Sequence, residues 1–509
     1  MTTARGRVFK ITLLASAFFI AASGLSFEII SGTLASYLLG DSATQFSFTI
    51  GIYLFAMGVG SYLSKFVTEN VLDRFVEIEL LVAIVGGLSA LSLFLAFAYT
   101  SVFSLILWSL LLFIGMLVGL EIPLLLRILK DHVSFKDLIS NVLSLDYIGG
   151  LAAAIAIPLF LTPKLGLVKS ALLFGFLNAM VAMICACLFR NDIRLRRYMV
   201  AGSAIALLLV TLFFYSGRLI RHSESQLYAD NVVFTRTSVY QRIVLTKWAN
   251  QFSLFLNNNL QFNSHDEYRY HEALVHPGLA HLEKAHPQIN ALVMGGGDGL
   301  AIREILKSKS VARVDLVELD PAMTDLARDN SWLAELNGHS LKNKKVSVIH
   351  QDAFVWLKNT TKLYDLVIID FPDPSNFSLG KLYSRTFYHR LSQVMKPHGI
   401  AITQATSPLF ARKAYWCIVN TIKGAGFNTH PYHTYIPSFG EWGFVLFSRA
   451  DYQLPQLSPA LKLRYLTDEI MAAMFHFSRD MSRVETLQQK LNNQQLVAYY
   501  TEGWNAITK

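Results

Sequence analysis

The chain contains 509 residues, of which 53% are hydrophobic and only 16% are charged. Its mean hydropathy of +0.38 excludes an ordinary soluble enzyme of this size, and its three cysteines are too few for a disulfide framework or a zinc cluster. The formal net charge of +9 does not indicate nucleic-acid binding, because many of the basic residues lie in short loops beside apolar stretches.

The first part of the chain predicts a multi-pass membrane domain. Seven apolar stretches, each roughly 20 residues long, have the length that a helix needs to cross about 30 Å of hydrocarbon. They lie at about 11–30, 46–63, 76–99, 104–126, 139–161, 167–189 and 198–217. The first stretch is not a signal peptide, because it contains Glu28, lacks a clear cleavage pattern and is followed by six more.

Three acidic residues, Glu28, Glu121 and Asp146, fall within or at the edge of these stretches. A charged side chain costs about 2.5 to 3.5 kcal/mol at the centre of a membrane helix, so we expect these residues to face the bundle interior or an aqueous cavity. Two interpretations are open: a binding or transit site for a cation such as a polyamine, or acids near helix ends that are paired or protonated and serve packing.

The distribution of basic residues does not decide on which side of the membrane the rest of the chain lies. Lysines and arginines precede the first stretch and follow the second, fourth and sixth stretches. With seven spans, the positive-inside tendency then places the remainder of the chain outside the cytoplasm. The opposite loops also contain basic residues, however, and a single re-entrant stretch would reverse the orientation.

From residue 232 onward the sequence is that of a globular protein. Short runs rich in Val, Thr, Phe and Tyr between 232 and 262 predict a small β-sheet subdomain. Apolar runs at 291–294, 314–319, 346–349, 366–369 and 400–403 then alternate with amphipathic segments, which predicts a parallel sheet with covering helices.

The predicted fold is therefore an N-terminal polytopic α-helical membrane domain, followed by an α/β Rossmann-like domain of the class I methyltransferase type that is preceded by the small β-sheet subdomain. We place the membrane domain at 1–220, the β-rich subdomain at 221–275, the Rossmann-like domain at 276–450 and a helical C-terminal extension at 451–509.

Acidic residues follow the predicted strands at their carboxyl ends, where ligands bind in parallel sheets. Five such residues are expected on one rim: Asp298, Glu318, Asp352, Asp370 and Asp373. The first of them lies in a glycine-rich turn, in which Gly295 and Gly297 permit a tight bend and a close approach of backbone to ligand. Such a rim would repel a pyrophosphate and favours a cationic ligand.

Several motifs occur here in a characteristic order. "GGGDG" (295–299), "VELD" (317–320), "QDAF" (351–354), "DFPDP" (370–374) and "LYSRTFY" (382–388) resemble the successive motifs of spermidine synthase, the polyamine aminopropyltransferase family. Upstream, "VYQRIVL" (239–245) and "DEYRYHEAL" (266–274) resemble its N-terminal β-region and substrate strand, and "TYIPSFGEWGF" (434–444) resembles a late substrate loop. The resemblance covers about 233–448, and the order of the motifs makes it more specific than any one of them.

The resemblance implies transfer of an aminopropyl group from decarboxylated S-adenosylmethionine, as co-substrate, to a diamine, usually putrescine, giving spermidine and methylthioadenosine without a prosthetic group or a metal. It implies that Asp370 accepts the proton. The nucleoside-binding residues that it implies are Gln241, Glu318, Asp352 and Ala353, beside Gly295 and Gly297 of the turn. The implied substrate contacts are His271, Asp298, Asp373, Tyr270 and Tyr435.

The same resemblance suggests why an acid lies in the glycine turn. Asp298 would repel the α-carboxylate of ordinary S-adenosylmethionine, and it can pair with the bare ammonium group of the decarboxylated form. After "DFPDP" the chain has Ser375, Asn376 and Phe377, where soluble members often have Ile-Gly-Pro, which leaves the identity of the acceptor amine open.

Partners and location follow in the same way. We expect a diamine substrate, a lipid bilayer and a homo-oligomer formed through the catalytic domain, in a multi-pass protein of the inner membrane. The supply of decarboxylated S-adenosylmethionine favours a cytoplasmic catalytic domain, against the count of basic loops. Two alternatives stay open: a methyltransferase that uses S-adenosylmethionine, and a membrane polyamine sensor or transporter with an inactive synthase-like domain.

Overall fold

The structure, a computed structural model, describes residues 3–39, 42–100, 102–130, 135–190, 193–225, 228–459 and 461–508. The chain divides into two compact units, Met1–Val232 and Val233–Lys509. The first unit contains the helices α1 (Thr3–Leu39), α2 (Ser42–Leu63), α3 (Val71–Tyr99), α4 (Phe103–Leu129), α5 (Phe135–Ala156), α6 (Thr162–Leu188) and α7 (Leu195–Ser225).

Six helical segments among the described residues are long and apolar enough to cross a membrane: Ile11–Ser36, Thr44–Phe66, Val71–Tyr99, Phe103–Leu129, Lys136–Leu188 and Leu195–Leu219. The fifth segment has 53 residues, and a straight helix of that length would measure about 80 Å. It is broken at Gly166, whose φ of +79° and ψ of 169° are not helical. This break separates α5 from most of α6, at the position between the two stretches predicted at 139–161 and 167–189.

Small residues allow the helices of the first unit to pack closely. A Cβ atom at Gly60 of α2 would lie 2.1 Å from the carbonyl oxygen of Met116, and one at Gly119 of α4 would lie 2.2 Å from that of Met57. These glycines therefore permit backbone contact between α2 and α4, as in other membrane helix pairs.

The interior of this unit contains more acidic side chains than the three singled out from the sequence. Glu28 and Glu121 are buried, Asp146 is partly buried, and Glu79 of α3 is a further acid with no exposed surface. The carboxylate oxygens of Glu79 and Glu121 make no hydrogen bond to other described residues. The burial agrees with the expectation that such acids face the bundle interior. The cation-binding and packing interpretations both stay predictions.

The second unit contains two sheets. Its strands are β1 (Asn231–Thr237), β2 (Arg242–Trp248), β3 (Gln251–Leu256), β4 (Asn259–Asn263), β5 (Ile289–Gly295), β6 (Val311–Glu318), β7 (Val346–His350), β8 (Tyr364–Asp370), β9 (Met395–Gln404), β10 (Asn428–Ile436) and β11 (Gly440–Ser448). Strands β1 to β4 form the small sheet in sequence order. The other seven form the large sheet in the order β10-β11-β9-β8-β5-β6-β7, in which β10 and β11 are antiparallel and the rest are parallel.

Helices cover both faces of the large sheet. The helices of this unit are α8 (Glu267–Glu283), α9 (Leu300–Ile305), α10 (Pro321–Asp329), α11 (Ser331–Leu336), α12 (Ala353–Asn359), α13 (Phe377–Gly380), α14 (Arg385–Val394), α15 (Arg412–Gly424), α16 (Asp468–Met474) and α17 (Gln495–Thr508). Successive residues of β5 alternate between two cores, since Leu292 and Met294 belong to one and Ala291 and Val293 to the other. Burial on both faces explains why the parallel strands are continuous apolar runs.

The large parallel sheet, the small antiparallel sheet before it and the long apolar helices confirm the predicted fold class. Two expectations are corrected. The segment 266–274, compared above with a substrate strand, begins helix α8. Beyond Ser448, only α16 and α17 are helices among the described residues, so this tail is less helical than its amphipathic sequence indicates.

Candidate active site

The order of strands in the large sheet reverses at β5, which lies between β6 and β8. The chain leaves the carboxyl ends of these strands in opposite directions, and a crevice forms at such a switch point. Gly295, the last residue of β5, pairs with Asp370, the last residue of β8. The glycine turn and the acid after the fourth predicted strand therefore lie side by side.

Two glycines in the turn are required by their surroundings. Gly295 has a φ of +74°, and a Cβ atom there would lie 2.2 Å from the carbonyl oxygen of Asp370. A Cβ atom at Gly297 would lie 2.9 Å from Oε2 of Glu318. Any other residue at these positions would displace Asp370 or Glu318, so the turn sets the distance between the two acids.

Asp298 lies in the same turn and is partly exposed. Its Oδ1 accepts a hydrogen bond of 2.9 Å from the backbone N–H of Leu300, and its carbonyl oxygen accepts one of 2.8 Å from Asn337. Partial burial raises the pKa of Asp298, and the charge of His271 opposes this increase. One carboxylate oxygen is thus used locally, and the other is available to a ligand.

Asp370 receives a hydrogen bond from Tyr270 of α8. The phenolic hydroxyl donates to Oδ1 at 2.5 Å. Burial, followed by the negative charge of Asp298, raises the pKa of Asp370 to about 6. A carboxylate with a pKa near 6 is mostly ionised at neutral pH and is still basic enough to accept a proton.

Glu318 ends β6 and accepts a hydrogen bond of 2.9 Å from the backbone N–H of Asp320. Burial raises its pKa to about 7. Gln241, between β1 and β2, donates from Nε2 to Oδ2 of Asp320 at 3.0 Å, and Ser238 donates to the same oxygen at 2.7 Å. The loop between β1 and β2 thus places Gln241 beside Asp320, which follows Glu318 by two residues at the carboxyl end of β6.

Asp373 accepts hydrogen bonds from two side chains. Gln404, the last residue of β9, donates to Oδ1 at 3.3 Å, and Thr406, two residues further on, donates to Oδ2 at 3.1 Å. Tyr500 of α17 lies near this carboxylate, and burial together with the charge of Asp373 raises the pKa of Tyr500. Burial raises the pKa of Asp373 to about 6. Thr406 has a φ of +59°, which is rare for a β-branched residue, and such strain clusters at functional sites.

His271 is buried one turn after Glu267 in α8. Its Nδ1 lies 2.9 Å from Oε2 of Glu267, and Arg303 donates to both carboxylate oxygens of Glu267 at 2.8 and 2.9 Å. Burial opposes protonation of His271, but the hydrogen bond to Glu267 and the charges of Asp298 and Asp370 raise its pKa. The buried ion pair of Glu267 and Arg303 thus holds His271 near Asp298 and Asp370.

Asp352 and Ala353 begin α12 after β7. The carboxylate of Asp352 caps this helix by accepting from the backbone N–H of Phe354 at 2.8 Å, and it pairs with Lys381 at 2.6 Å. Tyr435 lies on the edge strand β10 with 52% of its surface exposed, and its ring makes no hydrogen bond to the acids among the described residues. Its role as a substrate contact stays a prediction.

The arrangement favours a cationic ligand. Asp298, Glu318, Asp370 and Asp373 are all partly exposed at the ends of β5, β6 and β8. Their pKa values are raised because burial disfavours the charged form. A ligand that carries positive charge would relieve this cost, whereas an anion would increase it.

Sequence reasoning missed several residues of this site. Gln404 and Thr406 are polar residues at the carboxyl end of β9, so the rule that selected the acids could have selected them too. Arg303 and Lys381 form their ion pairs with residues distant in the chain, and Tyr500 lies beyond all of the motifs. No local pattern distinguishes these three.

Comparison with known proteins agrees with this geometry. The domain family described as "Spermine/spermidine synthase domain" matches residues 267–457. The chain is 49% identical over 497 residues to a protein named polyamine aminopropyltransferase from Leptospira interrogans, covering 97% of this chain and 98% of that protein. It is 47% identical over 508 residues to polyamine aminopropyltransferase 2 of Ralstonia nicotianae, covering 98% and 99%.

Among solved structures, a crystal structure of spermidine synthase in complex with the transition-state analogue AdoDATO is similar, with a TM-score of 0.45 and 23% identity over 49% of this chain and 86% of that one. The matched domain and the names of the two relatives define a transferase with a spermidine synthase domain. The chain belongs to the polyamine aminopropyltransferase family, and its similarity to the two relatives includes the helical first unit. The methyltransferase alternative finds no support among these relatives.

Proposed function

We propose that the protein transfers the aminopropyl group of decarboxylated S-adenosylmethionine to a diamine, with putrescine as the acceptor and spermidine and methylthioadenosine as products. The observation that supports this most directly is Asp298 in the glycine turn, beside Asp370 and close to His271. A nucleoside that ends in an ammonium group and bears a sulfonium matches the negative charge of this crevice.

The chemistry divides among the acids. An alkyl amine with a pKa near 10 is protonated at neutral pH and is not nucleophilic. Asp370 accepts the proton, and the nitrogen lone pair then attacks the carbon next to the sulfonium. The carbon–sulfur bond breaks, its electron pair stays on sulfur, and neutral methylthioadenosine leaves. Asp373 binds the distal ammonium group of the diamine, so that nitrogen and carbon are aligned.

The remaining residues bind the nucleoside and its aminopropyl chain, or line the part of the crevice that holds the diamine. Glu318 accepts hydrogen bonds from the ribose hydroxyls at the carboxyl end of β6, which is the position of ribose-binding acids in such sheets. Asp352 accepts from the adenine amino group, with Ala353 and Gln241 beside it. Asp298 pairs with the ammonium group of the aminopropyl chain. Tyr270, His271 and Tyr435 line the part of the crevice that the diamine occupies.

The proposal also includes location. We infer that the protein is a multi-pass protein of the inner membrane, which the six apolar segments support, and that its catalytic unit faces the cytoplasm, where decarboxylated S-adenosylmethionine is made. A reporter enzyme fused after Lys509, active only in the cytoplasm, is expected to be active. A fusion that is active only when exported would refute this orientation.

The reaction is tested with the full chain in detergent micelles. Release of methylthioadenosine is measured with decarboxylated S-adenosylmethionine and a panel of amines, and we expect turnover with putrescine. Asp370→Asn is expected to lower kcat by about 100-fold or more, the usual contribution of a general base. Asp325→Asn, at an exposed surface pair with Arg328, is the control and should keep the wild-type rate. Wild-type turnover by Asp370→Asn would reject the proposed base.

A further inference from the structure

A short segment of the tail connects two elements at the rim of the crevice. The domain match ends at residue 457, whereas the segment 464–466 lies further along the chain and contacts both α8 and β10. We propose that Tyr465 is a positioning residue for the acceptor amine: it holds the end of β10, and with it Tyr435, against α8 beside the diamine part of the crevice. This inference rests on the proposed function.

The end of β10 lies at the same rim as the acids of the crevice. Strand β10 pairs antiparallel with β11, and β11 pairs antiparallel with β9, so β10 runs in the same direction as the parallel strands β8 and β9. Its last residues, 434–436, therefore lie towards the carboxyl edge of the sheet, where Asp370 ends β8. The ring of Phe439, in the turn after β10, lies 6.5 Å from the ring of Tyr270, which donates to Asp370. The tip of the β10–β11 hairpin is thus beside the tyrosine that contacts the proposed base.

Strand β10 needs support from outside the sheet at this end. It is the edge strand of the large sheet, so among the described strands only β11 pairs with it, and Tyr435 is its last residue but one. Strand ends of this kind open easily. Two side chains supply the support: Arg269 of α8 donates to the carbonyl oxygen of Tyr435 at 3.2 Å, and the hydroxyl of Tyr465 hydrogen-bonds to Oγ1 of Thr434 at 2.6 Å.

Tyr465 contributes to both of these contacts. The guanidinium group of Arg269 lies 4.5 Å from the centroid of the Tyr465 ring, which is the distance of a cation–π contact. Thr434 is buried, so water does not readily replace its hydrogen bond to Tyr465. One side chain of the tail thus acts on Tyr435 in two ways: through Thr434, the residue before it, and through Arg269, which contacts its carbonyl oxygen.

The tail is itself attached to α8 by a buried carboxylate. Glu272 has no exposed surface; its Oε1 accepts from the backbone N–H of Arg464 at 2.7 Å, and its Oε2 accepts from those of Tyr465 and Leu466, each at 2.9 Å. Hydrogen bonds from three successive N–H groups to one carboxylate fix the backbone at Tyr465. Because Glu272 follows His271, the tail is joined to the helix that lines the diamine part of the crevice.

Loss of the Tyr465 hydroxyl would therefore affect the amine and not the nucleoside. The proposed nucleoside ligands Glu318 and Asp352 lie at the ends of β6 and β7, which are at the opposite side of the large sheet from β10. Without its partner, Thr434 keeps a buried hydroxyl with one hydrogen bond fewer, and the end of β10 can move away from α8. The diamine then loses an ordered wall, while Glu318 and Asp352 keep their positions.

The test compares Tyr465→Phe with Tyr452→Phe in the full chain in detergent. Tyr452 is a matched control, because its hydroxyl also joins the tail to α8, by donating to the carbonyl oxygen of Pro277 at 3.1 Å, about two helical turns after Tyr270. For Tyr465→Phe we expect the KM for putrescine to rise about fivefold. The KM for decarboxylated S-adenosylmethionine should stay within about twofold. Tyr452→Phe should match the wild type in both.

A second variant tests the contact from its other side. Thr434→Val removes the same hydrogen bond as Tyr465→Phe. The double variant should therefore raise the KM for putrescine no further than the larger of the two single variants, because the two residues act through one interaction. Fold-changes that multiply in the double variant would show that the two side chains act independently, and would overturn the inference.

Binding of putrescine, measured by calorimetry in the presence of methylthioadenosine, separates this inference from the proposed reaction. A wild type that binds putrescine without turnover refutes the reaction, and a Kd about fivefold weaker in Tyr465→Phe alone would still support the inference. An unchanged Kd and KM in Tyr465→Phe, equal losses for both substrates, equal losses in Tyr452→Phe, or no binding of putrescine to the wild type would each overturn it.

Discussion

The hydroxyl of Tyr270 donates a hydrogen bond of 2.5 Å to Asp370, and this contact joins the first helix after the small sheet to the carboxyl end of β8. Burial and the neighbouring Asp298 raise the pKa of Asp370, whereas the hydrogen bond from Tyr270 lowers it. Burial and the hydrogen bond from Tyr270 thus shift the pKa of Asp370 in opposite directions. With a pKa of about 6, the carboxyl group is mostly ionised at neutral pH and is still basic enough to accept a proton.

Removal of this hydrogen bond should shift the pH dependence of the reaction. Tyr270→Phe keeps the ring and removes the donor, so the pKa of Asp370 rises from about 6. We expect the acid limb of the kcat profile to move upward by about one pH unit, with most of the wild-type rate retained at pH 9. Tyr268→Phe is the control, because Tyr268 lies on the same helix with its ring 3.8 Å from the guanidinium group of Arg464, and this variant should leave the profile unchanged. An unshifted limb in Tyr270→Phe would show that Asp370 does not control it.

The charge of Asp298 should decide which form of S-adenosylmethionine is bound. Asp298→Asn keeps an oxygen acceptor for the backbone N–H of Leu300 and removes only the charge. We expect the KM for the decarboxylated form to rise about tenfold or more, and inhibition by intact S-adenosylmethionine to become stronger. The measurement is a pair of inhibition constants for the two nucleosides in wild type and variant. Equal loss of affinity for both nucleosides would contradict a role in selection.

The buried ion pairs of α8 and α9 support stability. Arg303 donates to both oxygens of Glu267 and, from Nε, to Glu304 at 2.9 Å, and both glutamates are nearly completely buried. Arg303→Met would leave buried charges with fewer partners, which costs about 3 to 5 kcal/mol when the pair is essential. We expect a clearly lower midpoint of thermal unfolding. We also expect weaker binding of the diamine, because Glu267 holds His271, which lines the diamine part of the crevice.

Tryptophan fluorescence of the full chain is a suitable measurement, since six of the seven tryptophans lie in the second unit. Arg328→Met is the matched control: Arg328 pairs with Asp325 and Asp329 on the exposed surface of α10, where ion pairs contribute little. Its midpoint should equal that of the wild type. Equal midpoints for the two variants would mean that the buried network does not stabilise the unit.

Much of the fold could be predicted because its pattern is local. The central strands β5 and β8 contain the continuous apolar runs 291–294 and 366–369, because parallel strands inside a sheet are buried on both faces. The acids at the ends of β5, β6 and β8 follow from the rule that ligands bind at the carboxyl ends. The strand proposed at 266–274 was wrong because a short motif does not specify secondary structure. In α8, residues 267 and 271 meet because they are one helical turn apart.

The contacts that join distant segments could not be predicted. Tyr500 lies near Asp373 only because the irregular chain before α17 packs against the loop after β8, and neither segment shows this in its own composition. Glu79 was overlooked although it lies in a predicted apolar stretch. The division into four domains, the homo-oligomer and the roles of individual site residues stay predictions.

The pH dependence of stability should report directly on the raised pKa values of the crevice acids. Asp298, Glu318, Asp370 and Asp373 have pKa values above those of free carboxyls, so the folded state binds protons more strongly than the unfolded chain. This stabilisation is complete at low pH and is lost as the pH rises through about 6 to 7, where Asp370, Asp373 and Glu318 ionise in the folded state. Without ligand, we expect the midpoint of thermal unfolding to fall between pH 5.5 and pH 8.

Decarboxylated S-adenosylmethionine should reverse this trend, because a cation favours the ionised carboxylates and binds more tightly at pH 8 than at pH 5.5. Asp315 and Asp365 do not interfere, since hydrogen bonds to lysines outweigh burial and lower their pKa values, and their contributions do not change above pH 5. The double variant Asp298→Asn, Asp370→Asn is the control and should show a smaller decrease and a smaller ligand effect. A ligand-free midpoint that rises from pH 5.5 to pH 8 would contradict the raised pKa values on which the electrostatic argument depends.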